Sequence, residues 1–93
     1  MTEAQLQAAI VELARLLGWL AYHPFDSRHS AAGYPDLTLT RNGRLVFAEL
    51  KTETGKLSDA QASWRDALNK AACDFYIWRP SRWLDGTIER VLR

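Results

Sequence analysis

Residues 33–51 read GYPDLTLTRNGRLVFAELK and decide the fold, because they hold two short apolar strands joined by a turn. Asn42-Gly43 is a strong signal for a two-residue type I′ hairpin loop, in which both residues take positive φ. A loop of this length makes Arg41 and Arg44 the first cross-strand pair. The stretch therefore predicts an antiparallel hairpin whose register is fixed by its turn.

Counted back from the turn, this register places Asp36 directly opposite Glu49. Cross-strand neighbours have Cβ atoms about 5 Å apart, and two carboxylates at that distance repel one another. A divalent cation removes the repulsion, and carboxylate oxygens suit Mg²⁺ or Mn²⁺. Lys51 lies two residues after Glu49 and so projects from the same face of its strand. The hairpin therefore predicts a metal site made of two acids and one ammonium group.

Each of these three residues also has an ordinary structural interpretation. An aspartate that follows a proline is typical of a turn or a strand start, and Glu-x-Lys on a strand is typical of a solvated face. Only their shared register favours a metal site over these interpretations.

The composition sets the class of protein. The 93 residues, of which 47% are apolar and four are Trp, have room for one domain, residues 1–93. The lone Cys73 leaves no disulfide framework and no cysteine-based zinc site, and we expect it to be a small buried hydrophobe. A net charge of +1 lacks the strong basic excess of many nucleic-acid-binding proteins. A bound metal would make the local field more positive.

The N-terminal residues and the apolar runs bear on location. No basic segment precedes an apolar run at the N-terminus, so no secretory signal is predicted. The longest uncharged apolar stretch, residues 16–22, is too short to span a bilayer. We therefore expect a cytoplasmic protein of a bacterium or a phage-infected host cell, with no membrane partner.

The periodicity along the chain predicts an α/β fold of the order α-β-β-β-α-β, a mixed sheet flanked by helices. Helices are predicted over residues 3–18 and 58–72, the second opened by a capping box of Ser58 and Gln61. Strands are predicted over residues 19–25, 37–40, 44–51 and 74–79. The inner face of the hairpin is apolar throughout, as a half-buried sheet requires: Leu37, Leu39, Val46, Ala48 and Leu50.

Two features of this pattern stay open. Ser81 could cap a short helix, whereas an Asp-Gly turn could lead into a final strand over residues 87–92. Trp64 and Trp78 are expected to be core residues rather than platforms on which bases stack.

Four blocks of the sequence carry a resemblance to a known family. They are Gly33-x-Pro35-Asp36, the run from Ala48 to Ser58, Gln61-x-x-Trp64 and Trp78-Arg79-Pro80. These blocks resemble the VRR-NUC domain of the PD-(D/E)xK nuclease superfamily, and the resemblance covers nearly the whole chain. It implies the fold shared by restriction endonucleases and archaeal Holliday junction resolvases. The chain is most similar in extent to the small stand-alone members of phages and bacteria.

The resemblance implies a role for each matching residue. Asp36 and Glu49 would be metal ligands, the backbone carbonyl of Leu50 would complete the coordination, and Lys51 would be the catalytic lysine. Gln61 matches the glutamine that the family places on the helix after the catalytic strand. Stand-alone members act as dimeric, structure-specific DNA endonucleases that can resolve four-way junctions. We therefore expect a homodimer that acts on branched DNA with Mg²⁺, for which Mn²⁺ substitutes.

Glu3 is a further candidate metal ligand, identified from the helical wheel. It falls within the apolar stripe of the first helix and so points toward the sheet, whereas Glu12 projects to solvent. The alternative is that Glu3 only favours the positive end of its helix.

Polar and basic residues around the predicted site are expected to contact DNA. They are Arg28, His29, Ser30, Lys56, Arg79 and Arg82. Contacts to phosphates position DNA without reading its sequence, so the shape of the DNA is the expected target.

These observations favour a magnesium-dependent endodeoxyribonuclease, a phosphodiester hydrolase, and within that class a Holliday junction resolvase. A bound metal acts as a Lewis acid and lowers the pKa of its water. Lys51 could orient that water, stabilise developing charge or act as the base. The alternatives are a less selective nickase or flap nuclease and a catalytically silent DNA-binding module. A silent module would not need two opposed carboxylates.

Overall fold

A four-stranded mixed sheet with helices on both faces forms the molecule, as the computed structural model describes it for residues 1–25 and 30–93. The elements are α1 (Glu3–Leu16), β1 (Leu20–Tyr22), β2 (Leu37–Arg41), β3 (Arg44–Leu50), α2 (Asp59–Lys70), β4 (Asp74–Trp78), α3 (Pro80–Leu84) and α4 (Thr87–Leu92). The strand order is β1-β2-β3-β4, with β4 parallel to β3 and the other pairs antiparallel. The predicted α/β fold class is confirmed.

The hairpin has the predicted turn and register. Both residues of the Asn-Gly loop have positive φ, 50° and 81°, which is the geometry of a type I′ turn. Arg41 pairs with Arg44, and the strands keep this register to the pair of Leu37 and Ala48. The two carboxylate residues follow one position beyond that pair.

The core lies between the inner face of the sheet and helices α1 and α4. All five residues of the predicted inner face are at most 2% exposed. Leu6 and Ile10 from α1 and Leu92 from α4 pack against them and are fully buried. Full burial of each such side chain contributes about 1.5–3 kcal/mol. Trp19 joins this core and donates from its indole nitrogen to the carbonyl of Leu92 at 2.8 Å.

The strand considered for residues 87–92 is wrong, because these residues form α4. Ile88 and Leu92 lie four residues apart and are both fully buried; this spacing suits one face of a strand as well as one face of a helix. The carbonyl of Val91 accepts from Arg44 Nη1 at 2.9 Å. A basic side chain at a helix C-terminus favours the helix.

Other boundaries differ by a few residues. Ser81 does not cap α3, since the N-cap is Arg79 and Pro80 occupies the first turn, where the missing N–H of proline costs nothing. The strand predicted over 19–25 shortens to three residues that pair with β2 at the sheet edge. Cys73 is half-buried between α2 and β4 rather than fully buried. Among the described residues, no helix has the length and apolar character that crossing a bilayer requires.

Candidate active site

The two carboxylates of the hairpin meet at its open end. Asp36 Oδ2 accepts a hydrogen bond from the backbone N–H of Leu50 at 2.8 Å, which fixes this carboxylate against β3. The side chain of Glu49 forms a hydrogen bond with Asp36 and is only 2% exposed. Among the residues that the structure describes, Glu49 is the one polar or charged residue that is buried. The predicted proximity of the two acids is therefore present in the structure.

This arrangement changes the protonation of Glu49. Burial contributes most, the hydrogen bond to Asp36 and its charge add to it, and together they raise the pKa of Glu49 to about 9 against the opposing charge of Lys51. Without a metal, the raised pKa favours the protonated form of Glu49 at neutral pH. This proton relieves the repulsion between the acids, as a divalent cation in its place would do.

Lys51 lies beside the pair at the end of β3. Its charge lowers the pKa of Glu49, so the ammonium group is close to the carboxylates. Its backbone N–H donates to the carbonyl of Trp78 at 3.0 Å, which ties this residue to the end of β4. Within the described part of the chain, none of the ion pairs involves Lys51. Its ammonium group is therefore available to a substrate.

The donor set fits a hard divalent cation. Mg²⁺ is commonly bound by one or two carboxylates and keeps waters and substrate phosphates as its other ligands. Asp36 and Glu49 supply two carboxylates, and Glu49 would exchange its proton for the metal. No three His, Cys, Asp or Glu side chains converge among the described residues. The remaining ligands would therefore be a backbone oxygen, such as the predicted carbonyl of Leu50, with water or substrate.

Two adjoining cavities open at Asp36. One has a volume of about 160 Å³ and lies between α1 and the end of β3, with Glu3, Gln7 and Leu50 in its wall. The other has a volume of about 180 Å³ and is lined by Gln7 and Gln61, among others. Asp36 and Gln7 line both cavities. A substrate phosphate beside the carboxylates would therefore contact α1 and α2 as well.

Glu3 lies at the mouth of the smaller cavity. Its side chain is exposed rather than buried, and its negative charge makes the smallest contribution to the raised pKa of Glu49. Glu3 also lies in the first turn of α1, where an acid is favoured. Glu12 is exposed, as predicted.

Gln7 is a site residue that the sequence did not reveal. It is half-buried, and its side-chain amide makes no hydrogen bond with any residue that the structure describes. The available signal was its position one helical turn after Glu3, which puts both on the same face of α1. A glutamine on an amphipathic helix is ordinarily a solvated residue, so that signal was weak.

Gln61 caps α2 and also lines the larger cavity. Its Oε1 accepts from the backbone N–H of Ser58 at 2.8 Å, and its own N–H donates to Ser58 Oγ at 3.2 Å. The predicted capping box is confirmed. The capping box uses the oxygen of the side-chain amide, and its NH₂ group has no hydrogen-bond partner among the described residues.

Helix α2 fixes the loop that carries Asp36. Gly33 has φ of +79°, and a Cβ on it would lie 2.3 Å from the backbone carbon of Ala60. Trp64 donates from its indole nitrogen to the carbonyl of Ala32 at 3.1 Å, and its ring meets Tyr34 edge-on. Trp64 therefore packs against this loop, and Trp78 is buried in the core.

The residues predicted to bind DNA are distributed around this site. Arg28 and His29 lie outside the described residues. Ser30 is half-buried and lines the larger cavity. Lys56 is exposed, and Arg82 is exposed and pairs with Asp85, the C-cap residue of α3, at 2.9 Å.

Arg79 makes its contacts inside the fold. Its Nη1 donates to the carbonyl of Gly55 at 2.8 Å, to that of Glu53 at 3.3 Å and also to that of Thr52. One arm of its guanidinium group is thus used within the chain.

The chain was compared with known families, curated proteins and solved structures. The family model described as the VRR-NUC domain matches residues 1–81. A solved structure titled "VRR_NUC domain" is 24% identical with a TM-score of 0.78, and the alignment covers 94% of each chain. Another, titled "VRR_NUC domain protein", is 18% identical with a TM-score of 0.73, over 98% of this chain and 85% of that one. The curated proteins gave no match. At these identities the two structures speak for the fold alone.

Proposed function

Because the chain belongs to the VRR-NUC domain family, a nuclease-type fold, we propose that it is a metal-dependent endonuclease that hydrolyses phosphodiester bonds in DNA. The observation that carries this proposal is the opposed pair of Asp36 and Glu49, which share a hydrogen bond beside Lys51. A buried acid of raised pKa costs stability unless something binds it. A bound divalent cation would stabilise two adjacent carboxylates, whereas a purely structural role would not require two acids to be adjacent.

The residues of the site have distinct tasks in this proposal. Asp36 and Glu49 would hold Mg²⁺, or Mn²⁺ in its place, together with the carbonyl of Leu50. The metal when bound supplies a Lewis acid and a water of lowered pKa. Lys51 stabilises the negative charge that develops on the phosphate. The free NH₂ group of Gln61 donates to a phosphate oxygen in the larger cavity.

Substitution of the three central residues tests the enzyme. We expect Asp36→Asn, Glu49→Gln and Lys51→Ala each to lower the rate of plasmid nicking by about 100-fold or more, while each variant stays folded and still binds DNA. The reason is that the buried apolar face of the hairpin is not altered. The assay follows nicking of a supercoiled plasmid in Mg²⁺, in Mn²⁺ and in EDTA, with Glu12→Gln as the exposed control. A wild-type rate in any of the three would refute the site.

Two alternatives give different results in the same assay. A catalytically silent DNA-binding module would bind the plasmid without nicking it in either metal. A less selective nickase or flap nuclease would cut flap, splayed and linear DNAs as fast as a four-way junction. We propose the junction as the preferred substrate and a homodimer as the active form.

A further inference from the structure

The loop that follows β3 is bonded to the segment that follows β4. As described above, Arg79 Nη1 donates to carbonyls of this loop, the best placed being that of Gly55 at 2.8 Å. In the opposite direction, the carboxylate of Glu53 accepts a short hydrogen bond from the backbone N–H of Ser81, in the first turn of α3. The loop is thus held in two ways: by the guanidinium group of Arg79, which binds its carbonyls, and by its own residue Glu53, which binds the backbone of α3.

This loop runs beside the side chain of Lys51. A Cβ on Gly55 would lie 3.6 Å from Lys51 Cδ and 2.9 Å from Thr52 Oγ1. The turn is closed by the N–H of Gly55, which donates to Thr52 Oγ1 at 3.0 Å. A side chain at position 55 would therefore meet the lysine, and the glycine leaves room for it beside the loop. Because the backbone of Lys51 is fixed to β4, the direction of its side chain depends on the groups beside it, and this loop is one of them.

We propose that Arg79 and Glu53 are positioning residues that clamp the 52–55 loop and so direct Lys51 toward the Asp36–Glu49 pair. This inference rests on the proposed nuclease function, in which Lys51 acts on the phosphate. It gives Arg79 a role within the chain instead of the phosphate contact expected from its charge. It also gives a role to Glu53, an acid that no phosphate contact explains.

Two variants separate the clamp from a phosphate contact. Arg79→Gln removes a cation and Glu53→Ala removes an anion, so an electrostatic effect on DNA binding would have opposite signs in the two. Loss of the clamp would instead lower the cleavage rate in both variants. Arg90→Gln is the matched control, because Arg90 is an exposed arginine of α4 whose described partners are the carbonyl of Asp85 and the hydroxyl of Thr87.

The experiment measures two properties of cleavage and binding. Single-turnover rates are measured with saturating Mg²⁺ and DNA, well below the unfolding temperature of each variant. DNA affinity is measured in EDTA at several salt concentrations. We expect Arg79→Gln and Glu53→Ala each to lower the rate by about 10-fold to 100-fold, the scale of a misplaced catalytic group, with the salt slope unchanged. In the double variant the losses should not add, because both residues act through one loop.

Two results would overturn the proposal. The first is a salt slope that falls by about one in Arg79→Gln, with a normal rate at saturation, since this is the mark of a lost phosphate contact. The second is a wild-type rate for Glu53→Ala. Should Arg79→Gln fail to fold, Arg79→Lys keeps the charge but loses the fork of donors; a lowered rate with an unchanged salt slope would support the clamp, and a wild-type rate would overturn it.

Amide hydrogen exchange tests the clamp without reference to activity. The peptide over residues 51–57 should exchange faster in Arg79→Gln and Glu53→Ala than in the wild type, and Arg90→Gln should match the wild type. Unchanged exchange would reject the clamp. A wild-type protein that cuts no DNA would instead reject the nuclease function, while the exchange data would still decide whether the clamp exists.

Discussion

Glu49 links the candidate metal site to the stability of the protein. Its pKa is raised from 4.5 to about 9 in the fold, chiefly by burial and then by Asp36. Between these two pH values the folded protein binds a proton that the unfolded chain releases. The contribution of this proton to stability is therefore fully present below pH 4.5 and is lost as the pH rises toward 9.

Without metal, we expect the free energy of unfolding of the wild type to fall between pH 5 and pH 9 relative to that of Glu49→Gln. A single proton limits the slope of this difference to about 1.4 kcal/mol per pH unit. Glu49→Gln should be as stable as the wild type or more stable at pH 8, because a neutral amide replaces the buried acid. Urea denaturation in EDTA at a series of pH values measures the difference. Parallel curves for the two proteins would contradict the raised pKa.

Gly33 and Gly43 provide a matched pair of substitutions. Both have positive φ, +79° and +81°, but a Cβ on Gly33 would overlap the backbone of α2, whereas a Cβ on Gly43 would meet nothing within 4 Å. We expect Gly43→Ala to cost about 1–2 kcal/mol from its backbone conformation alone. Gly33→Ala should cost about 1–3 kcal/mol more through overpacking, and should slow cleavage because it displaces the loop that carries Asp36. Denaturation midpoints measure the loss of stability in each variant, and nicking rates measure the effect on cleavage. Equal losses of stability in the two variants would show that the backbone of α2 shifts to accommodate the added methyl group.

At the level of the elements, helix α1 presents two polar residues to the site. We expect Glu3→Gln and Gln7→Ala to lower the single-turnover rate, because both side chains line the cavity beside Asp36. Glu12→Gln, an exposed residue of the same helix, should keep the wild-type rate. Equal rates for Glu3→Gln and Glu12→Gln would leave Glu3 as a helix-terminus residue only.

The elements that could be predicted from the sequence are those determined by local signals. The hairpin register follows from a two-residue turn and from strict alternation of apolar residues, and both act within 19 residues, 33–51. The capping box of α2 is equally local. These signals also predicted that Asp36 and Glu49 face each other. The two acids of the candidate site could therefore be predicted from the sequence, whereas the residues that other elements bring to it could not.

The remaining features depend on contacts between distant parts of the chain. Arg79 bonds to backbone carbonyls that lie 24 to 27 residues earlier, and a carbonyl has no signature in the sequence. The helical form of the C-terminal residues is favoured by burial of Ile88 and by an arginine of β3. Such contacts are decided by packing and not by local propensity.

At the level of the whole molecule, the proposed function is limited by the size of one chain and by the number of candidate sites that it carries. Its longest dimension is 32 Å, which spans about nine base pairs at the 3.4 Å rise of one strand. Each chain offers one set of Asp36, Glu49 and Lys51. Two paired incisions across a branch therefore need two chains, and closed two-fold dimers are the commonest assembly of soluble proteins.

The surface has apolar residues that a second copy would cover. On the edge strand β1, Leu20 and Tyr22 are 73% and 58% exposed, and an unpaired edge of this kind favours association. We expect a homodimer by light scattering, and we expect it to cut a four-way junction faster than a linear duplex when the two compete. The expectation follows because a two-fold dimer presents two metal sites at a fixed separation, which matches the approximate two-fold symmetry of a junction. A linear duplex also has two-fold axes, so the expected preference rests on the spacing of the two sites. A monomeric mass together with equal cutting of both DNAs would reject the resolvase while leaving the nuclease in place.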